Sequence, residues 1–479
     1  MSHDSGDVAF LAISCALVLL MTPGIAFFYG GLVRDSNILN TMMMSIVSMG
    51  FISLIWMLVG FTFAFSGDLT YFGFRDLEDT TWGETQIPGL LFATFQMTFA
   101  IIAAAIISGA LVERIRFGAF LVLISLWVLL VYVPLCNWVW GGGWIERIGA
   151  KDFAGGTVVH ISSGCAAFVA AAILGKRKHL DDGINKPHNI PFVILGGALL
   201  WFGWAGFNGG SAFGADALAA LAICTTFIAA SAGMVASVAV EWLRNRLPTT
   251  IGAMTGAVAG LAAITPCAGY VDPLGALGIG LIGSLACVYA TRRLERLSWV
   301  DDSLGAFSLH GVGGIAGAIL GGIFDKEDGV LYTGSFQLLL VNTVGALAGA
   351  VFSASVTGAL FFCMQRCMRV RASDEQESGG LDIHVHGEDA YTGPLRAMSG
   401  ISSNRSTKDL LSNASSNRST KDLLSNAMEG KRSDMRECQN RALVYEIEDG
   451  NAEAHFAEQT GEVEPRPQAS MRATEVDVV

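Results

Sequence analysis

The chain has 479 residues, 52% of them apolar and 15% charged, with 57 glycines and a positive mean hydropathy; a soluble domain carries roughly 25% charged residues. Its net charge of −12 is uneven, because residues 1–373 hold 22 acidic and 19 basic side chains and residues 374–479 hold 20 and 11. A nearly neutral apolar front with an acidic tail excludes an ordinary cytosolic enzyme, and the lack of a basic patch excludes nucleic acid as a partner; the pattern fits an integral membrane module with a soluble extension.

In chain order, apolar stretches of spanning length fall near 8–31, 39–66, 88–112, 118–139, 153–175, 190–210, 215–240, 250–265, 273–291, 304–324 and 335–365. A hydrocarbon core of about 30 Å needs roughly 20 apolar residues as helix, so the pattern predicts eleven spans, of which 250–265 is the shortest. The two-residue alternation of a membrane barrel is absent, which makes the expected class an all-α integral membrane protein. The first run follows Met1-Ser2-His3-Asp4 without a basic leader and lacks the form of a simple secretory signal. Alternate loops carry fifteen Lys and Arg on one side and only Arg75, Arg147, Lys151 and Lys326 on the other. The positive-inside rule then puts the N-terminus outside a cell (plasma) membrane and the tail in the cytoplasm, as an odd number of spans requires.

The expected organisation is a membrane domain over 1–373, a proximal cytoplasmic regulatory segment over 374–394 and a largely disordered acidic tail over 395–479. In that tail the thirteen residues SSNRSTKDLLSNA stand twice, at 402–414 and 415–427. The nine cysteines lie mostly inside apolar runs without CxxC pairing, and read as small core residues rather than a zinc site or disulfide framework.

A second repeat carries more chemistry. Asp152 to Gly164 (DFAGGTVVHISSG) and Asp302 to Gly314 (DSLGAFSLHGVGG) share Asp, Gly, His and Gly at identical spacing, in spans five and ten. Five spans per half is odd, so the halves insert in opposite orientations, with function expected at their interface. A weaker echo pairs Phe28-Tyr29-Gly30-Gly31 with Phe207-Asn208-Gly209-Gly210.

A histidine in an apolar span is costly when charged and is a functional candidate. His160 and His310 occupy matched positions, so the pseudo-two-fold brings them together; adjacent imidazoles can share a proton, and burial disfavours the doubly charged pair. The plainer alternative, a hydrogen bond from each to a neighbouring helix, does not require the match. With no third ligand at helical spacing, neither a metal nor another cofactor is expected. Asp152 reads as a cap at the outer end of its span whose carboxylate would also favour an entering cation, and Asp302 as a cap at the inner end. Among the outer aromatics Phe95, Phe99, Trp138, Trp140, Trp144, Trp201, Trp204 and Phe207, most read as packing or interfacial side chains, and a few facing inward could hold a small cation against their faces.

The segments MTPGIAFFYGGLV (21–33), NTMMMS (40–45), VWGGGWI (139–145), DFAGGTVVHISSG (152–164), KPHNIP (186–191), FGWAGFNGGS (202–211), TPCAGYVDPLGALGIG (265–280), DDSLGAFSLHGVGGIAG (301–317) and GLDIHVHGEDAY (380–391) resemble signatures of the ammonium transporter family. That family is called Amt in bacteria and plants and Mep in fungi, and is related to the Rhesus glycoproteins. The resemblance runs from residue 8 to about 391. It implies an eleven-helix homotrimer in membrane lipid, built on an inverted five-plus-five repeat plus one helix, with one pore per subunit. Trp140, Phe99 and Ser211 would form an external ammonium recruitment site, with Phe95 as an added wall and Asp152 as the supporting carboxylate. Phe99 and Phe207 would form a stacked gate, and His160 and His310 would line an apolar pore for ammonia with a separately moved proton. The implied function is transport rather than catalysis. A sensor reporting through the tail is a second function that fits. A neutral-gas channel of Rhesus type is disfavoured, since a neutral gas gains nothing from an aromatic cation site.

Two departures stand out. Many bacterial members carry an acidic residue shortly after the paired aspartates of span ten, where this chain has Gly305. The place of a phosphorylated threonine in the proximal tail of plant members is taken by His384. Farther along, Arg405-Ser406-Thr407, Arg418-Ser419-Thr420 and Arg396 with Ser399 suit a kinase or another regulatory partner, or belong to a solvated linker.

Overall fold

The computed structural model describes residues 3–82, 87–178 and 186–391; the expectations for residues 395–479, including the duplicated segment and its hydroxyls, lie outside them. Asp4 opens the first helix by accepting the N–H groups of Gly6 and Asp7, a carboxylate cap that satisfies donors the helix cannot. Among the described residues eleven helices are long and apolar enough to cross a membrane. They are α1 Ser5–Leu32, α2 Asp35–Phe65, α3 Gly89–Ser108, α4 Phe117–Arg147, α5 Gly156–Leu174, α6 Ile190–Gly210, α7 Ala217–Arg244, α8 Thr250–Cys267, α9 Pro273–Leu294, α10 Phe307–Phe324 and α11 Gln337–Cys367. The short 250–265 run is helical throughout. Three helices are shorter than the hydrophobic runs: α3 stops at Ser108, while α5 and α10 begin only at Gly156 and Phe307. The cause is polar anchoring at each boundary, by Glu113 beyond α3 and by the Asp152 and Asp302 carboxylates before α5 and α10.

Helices α1–α5 and α6–α10 form two oppositely inserted halves, and α11 is added beside α5 and α10. The halves meet most closely where α1 runs antiparallel to α6. A Cβ on Gly196 would lie 2.1 Å from the Phe28 backbone nitrogen, so only glycine permits this backbone approach, the usual basis of tight helix pairs in lipid.

One end of the bundle, the arginine pole, is tied by buried charge. Glu113 Oε1 accepts from Arg34 Nε at 3.1 Å and Asn37 Nδ2 at 3.0 Å, and its Oε2 from Arg177 at 2.8 Å. Asp301 accepts from Arg177 Nε at 2.8 Å and lies 3.8 Å from Arg114. Burial works to raise the Asp301 pKa, but Arg114 and Arg177 outweigh it and bring it to about 2. The segment after α11 packs on this pole. Ser373 caps a helical turn, Asp374–Gly379. Glu377 pairs with Arg371, and Asp382 accepts the N–H groups of Leu39 and Asn40 at 3.0 and 2.8 Å. The Tyr391 hydroxyl sits 2.9 Å from His188 Nε2.

Candidate functional site

The repeated Asp, Gly, His and Gly positions each have a structural task. Asp152 Oδ1 accepts from the backbone N–H groups of Gly155 and Gly156 at 2.9 and 2.6 Å, and Oδ2 from those of Thr157 and Val158 at 2.7 and 3.2 Å. Its partner Asp302 accepts from Phe307 and Ser308 N–H and from the Ser308 hydroxyl. The turn after each aspartate needs a backbone with positive φ, supplied by Gly155 at 107° and Gly305 at 75°. A wide π-helical turn then follows in both halves, Gly156–Ile161 and Phe307–Gly311, and such turns often re-aim functional side chains. The last repeat glycines lie at the crossing: a Cβ on Gly164 would fall 2.2 Å from the Gly311 nitrogen, and one on Gly314 would fall 2.8 Å from the Gly156 oxygen.

The two turns bring His160 and His310 together. Their rings lie 5.1 Å apart and 20° from parallel, with Nδ1 to Nδ1 at 3.2 Å. Such a contact requires one ring to donate at Nδ1 and the other to accept there. Both are buried, and His160 Nε2 has no hydrogen-bond partner among the described residues.

Aromatic rings continue from this pair toward the aromatic pole, the end opposite the arginine network. Phe207 stacks 5.8 Å from His160, and Phe99 stacks on Phe207 at 4.2 Å with 29° between planes. Phe95 meets Phe99 edge-on at 4.8 Å, and Trp140 meets Phe99 edge-on at 6.2 Å. The Trp140 indole N–H donates to the Asp152 main-chain carbonyl at 2.9 Å, which joins the ring column to the aspartate turn. Ser211 lies at the end of α6, its hydroxyl donating to the Phe207 carbonyl at 2.8 Å. The Asp152 carboxyl is buried, and that burial raises its pKa above the usual carboxylate value despite the four N–H donors.

Trp204 belongs to this column although the sequence did not separate it from the packing aromatics. It stacks 5.4 Å from His160 and donates its N–H to the Thr265 hydroxyl. Its position three residues before Phe207, one helical turn away, was the available signal. The neighbouring Trp138 and Trp201 are only partly buried and Trp144 is exposed, and Trp138 packs on Phe352 of α11, away from the column. Among the described residues no group of three or more His, Cys, Asp or Glu is placed to hold a metal ion.

An eleven-span bundle with an inverted repeat, a buried imidazole pair on the repeat axis and an aromatic approach to it defines a membrane transporter rather than an enzyme. The model of the Ammonium Transporter Family matches residues 9–391. The chain is 46% identical over 401 residues to the ammonium transporter of Bacillus subtilis, covering 81% of this chain and 98% of that one. Its fold is similar to the crystal structure of Saccharomyces cerevisiae Mep2, with TM-score 0.72 and 32% identity over 78% of this chain and 91% of that one. It is also similar to a structure described as a Sensor Amt Protein, with TM-score 0.75 and 30% identity over 79% and 98%. The chain belongs to the ammonium transporter family, and ammonium transport across a membrane is its function.

Proposed function

We propose that ammonium is recruited at Trp140, Phe99 and Ser211, with Phe95 as a side wall and Asp152 holding the surrounding turn. It gives up its proton there and passes as ammonia through a gate formed by Phe99 and Phe207 into a pore lined by His160 and His310. The observation that carries this reading is the unbroken order of rings from Trp140 through Phe99 and Phe207 to the paired histidines. Aromatic faces attract a small cation most when it is desolvated, and a stacked phenylalanine pair opposes a hydrated ion.

The histidine pair offers the separated proton a path. If one ring accepts at Nδ1, it carries its own proton on Nε2. Release of that Nε2 proton, transfer of the shared proton across the 3.2 Å contact and uptake at the other ring's Nε2 move one proton past the pair. The shared bond is left reversed, and with the three transfers concerted the two rings are never charged together.

The basic loops favour an arginine pole in the cytoplasm and an N-terminus outside. Exposed apolar side chains such as Val235, Leu243 and Leu274 on α7 and α9 suit lipid and the faces of a homotrimer. The likeness to a sensor of the same fold supports a second role, in which occupancy of the same site is reported through the tail to a kinase or regulatory protein.

Currents from purified protein on a solid-supported membrane, driven by ammonium pulses, test both readings. Transport gives currents that decay faster as protein per vesicle increases, whereas a binding-only sensor gives a transient independent of it. His160→Ala and His310→Ala should each abolish the selective ammonium current or convert it to unselective cation flux. Parent-like currents with intact ammonium-over-potassium selectivity in both would remove the relay.

A further inference from the structure

We infer that a cleft at the arginine pole, separate from the ammonium path, binds the phosphate headgroup of an anionic phospholipid. The cleft measures about 440 Å³ and lies between the first turn of α4, the residues just after α11 and the tail turn at 381–385. Arg116, Arg369 and His384 line it, together with the amide of Gln376, and no carboxylate among the described residues does. Arg34, Arg114, Arg177 and Arg371 are each committed to a carboxylate. By contrast, Arg116 and Arg369 are exposed and have no ion-pair partner among the described residues.

The two guanidiniums share the cleft because their backbones are pinned together. Arg116 N–H donates to the Val370 carbonyl at 2.9 Å, and Ala372 N–H donates to the Arg114 carbonyl at 2.8 Å. On the facing wall, His386 packs edge-on against Phe117 at 5.0 Å and reaches Asn40 at 3.1 Å. That contact fixes the turn that carries His384. The result is a cationic recess whose geometry is set before any ligand arrives, suited to phosphoryl oxygens.

The surroundings select a lipid over a soluble anion. Val122, Leu126 and Leu130 on α4 and Phe362 on α11 are exposed apolar side chains leading from the cleft along the membrane-spanning surface, and Ile383 is exposed on the tail turn beside it. Acyl chains can lie on that strip while the headgroup meets the arginines, and a free phosphate would leave it unused. Cationic side chains at a membrane surface favour anionic headgroups. Since the cleft is built jointly by α4, the end of α11 and the tail, a seated lipid would tie the tail turn to two membrane helices.

The test uses the full chain in detergent, with bound lipids counted by native mass spectrometry during titration with phosphatidylglycerol or phosphatidylcholine. The parent should prefer phosphatidylglycerol by at least about tenfold. The double variant Arg116→Gln with Arg369→Gln should lose that preference. A control, Arg292→Gln with Arg296→Gln, removes equal charge at the end of α9 and should keep it. If the double variant melts early without lipid, Arg369→Gln alone carries the comparison. Unchanged preference in the cleft variant, equal loss in the control, or displacement of the lipid by equimolar inorganic phosphate would overturn the assignment.

Discussion

The two aspartate turns are the same backbone device in different surroundings. At the aromatic pole, Asp152 satisfies four consecutive N–H groups and has the Trp140 indole on its carbonyl. At the arginine pole, Asp302 satisfies two N–H groups and a hydroxyl. Its neighbour Asp301 takes Arg114 and Arg177, so the cations nearby are already committed. One repeat unit has thus been given rings at one end and fixed charges at the other. The difference teaches that the contrast between the two poles comes from what surrounds the turns, since the turns themselves are alike.

Exchanging each carboxylate for an amide tests that lesson most severely. Asp152→Asn turns an amide NH2 toward two backbone N–H donors in a buried site and should lower ammonium current by about tenfold or more, while Asp302→Asn should lower it by less than about threefold. Equal losses would assign both residues to folding alone and erase the distinction between the poles. A smaller effect is expected at the ring that touches the turn. Trp140→Leu should raise the ammonium concentration for half-maximal current roughly 2- to 30-fold, the worth of one cation–π face; an unchanged concentration dependence would place recruitment elsewhere.

The mildest test concerns the arginine pole. Burial raises the Asp382 carboxyl from 3.8 to about 6, with Asp389 and Asp35 adding to the shift against the N–H groups of Leu39 and Asn40. The docked tail therefore holds a proton more tightly than the free segment does. Docking is favoured below the free pKa, weakens as pH rises from about 4 to 6, and levels off above. Amide-exchange protection of residues 381–391 should fall across that window in the parent and stay flat in Asp382→Asn. A parallel fall in the variant would assign the dependence to another group.

Much of the site was legible because spacing survives folding. Asp, Gly, His and Gly at matched intervals foretold two histidines brought together, and eleven apolar runs foretold eleven spans. The arginine network was not legible. Arg34, Glu113, Arg177 and Asp301 come from separate loops, and no local pattern records which loops meet. Trp204 was named but not singled out, for a different reason: a helix apolar on every side does not announce which face meets a partner. Gly305 read as an absent carboxylate, whereas its backbone φ of 75° repeats the task of Gly155 at 107°; a side chain there would strain the turn.

The backbone contacts at Gly164 and Gly314 bear on how such a protein can turn over. Because a Cβ built on Gly164 would fall 2.2 Å from the Gly311 nitrogen, the halves interlock at the level of the histidines. Neither half can rock past the other without parting that contact. On the route proposed above, passage would then depend on ring flips at Phe99 and Phe207 and proton hops at His160 and His310, events confined to side chains. Throughput in such an arrangement is governed by local barriers rather than by the slow swing of half a molecule through a viscous bilayer.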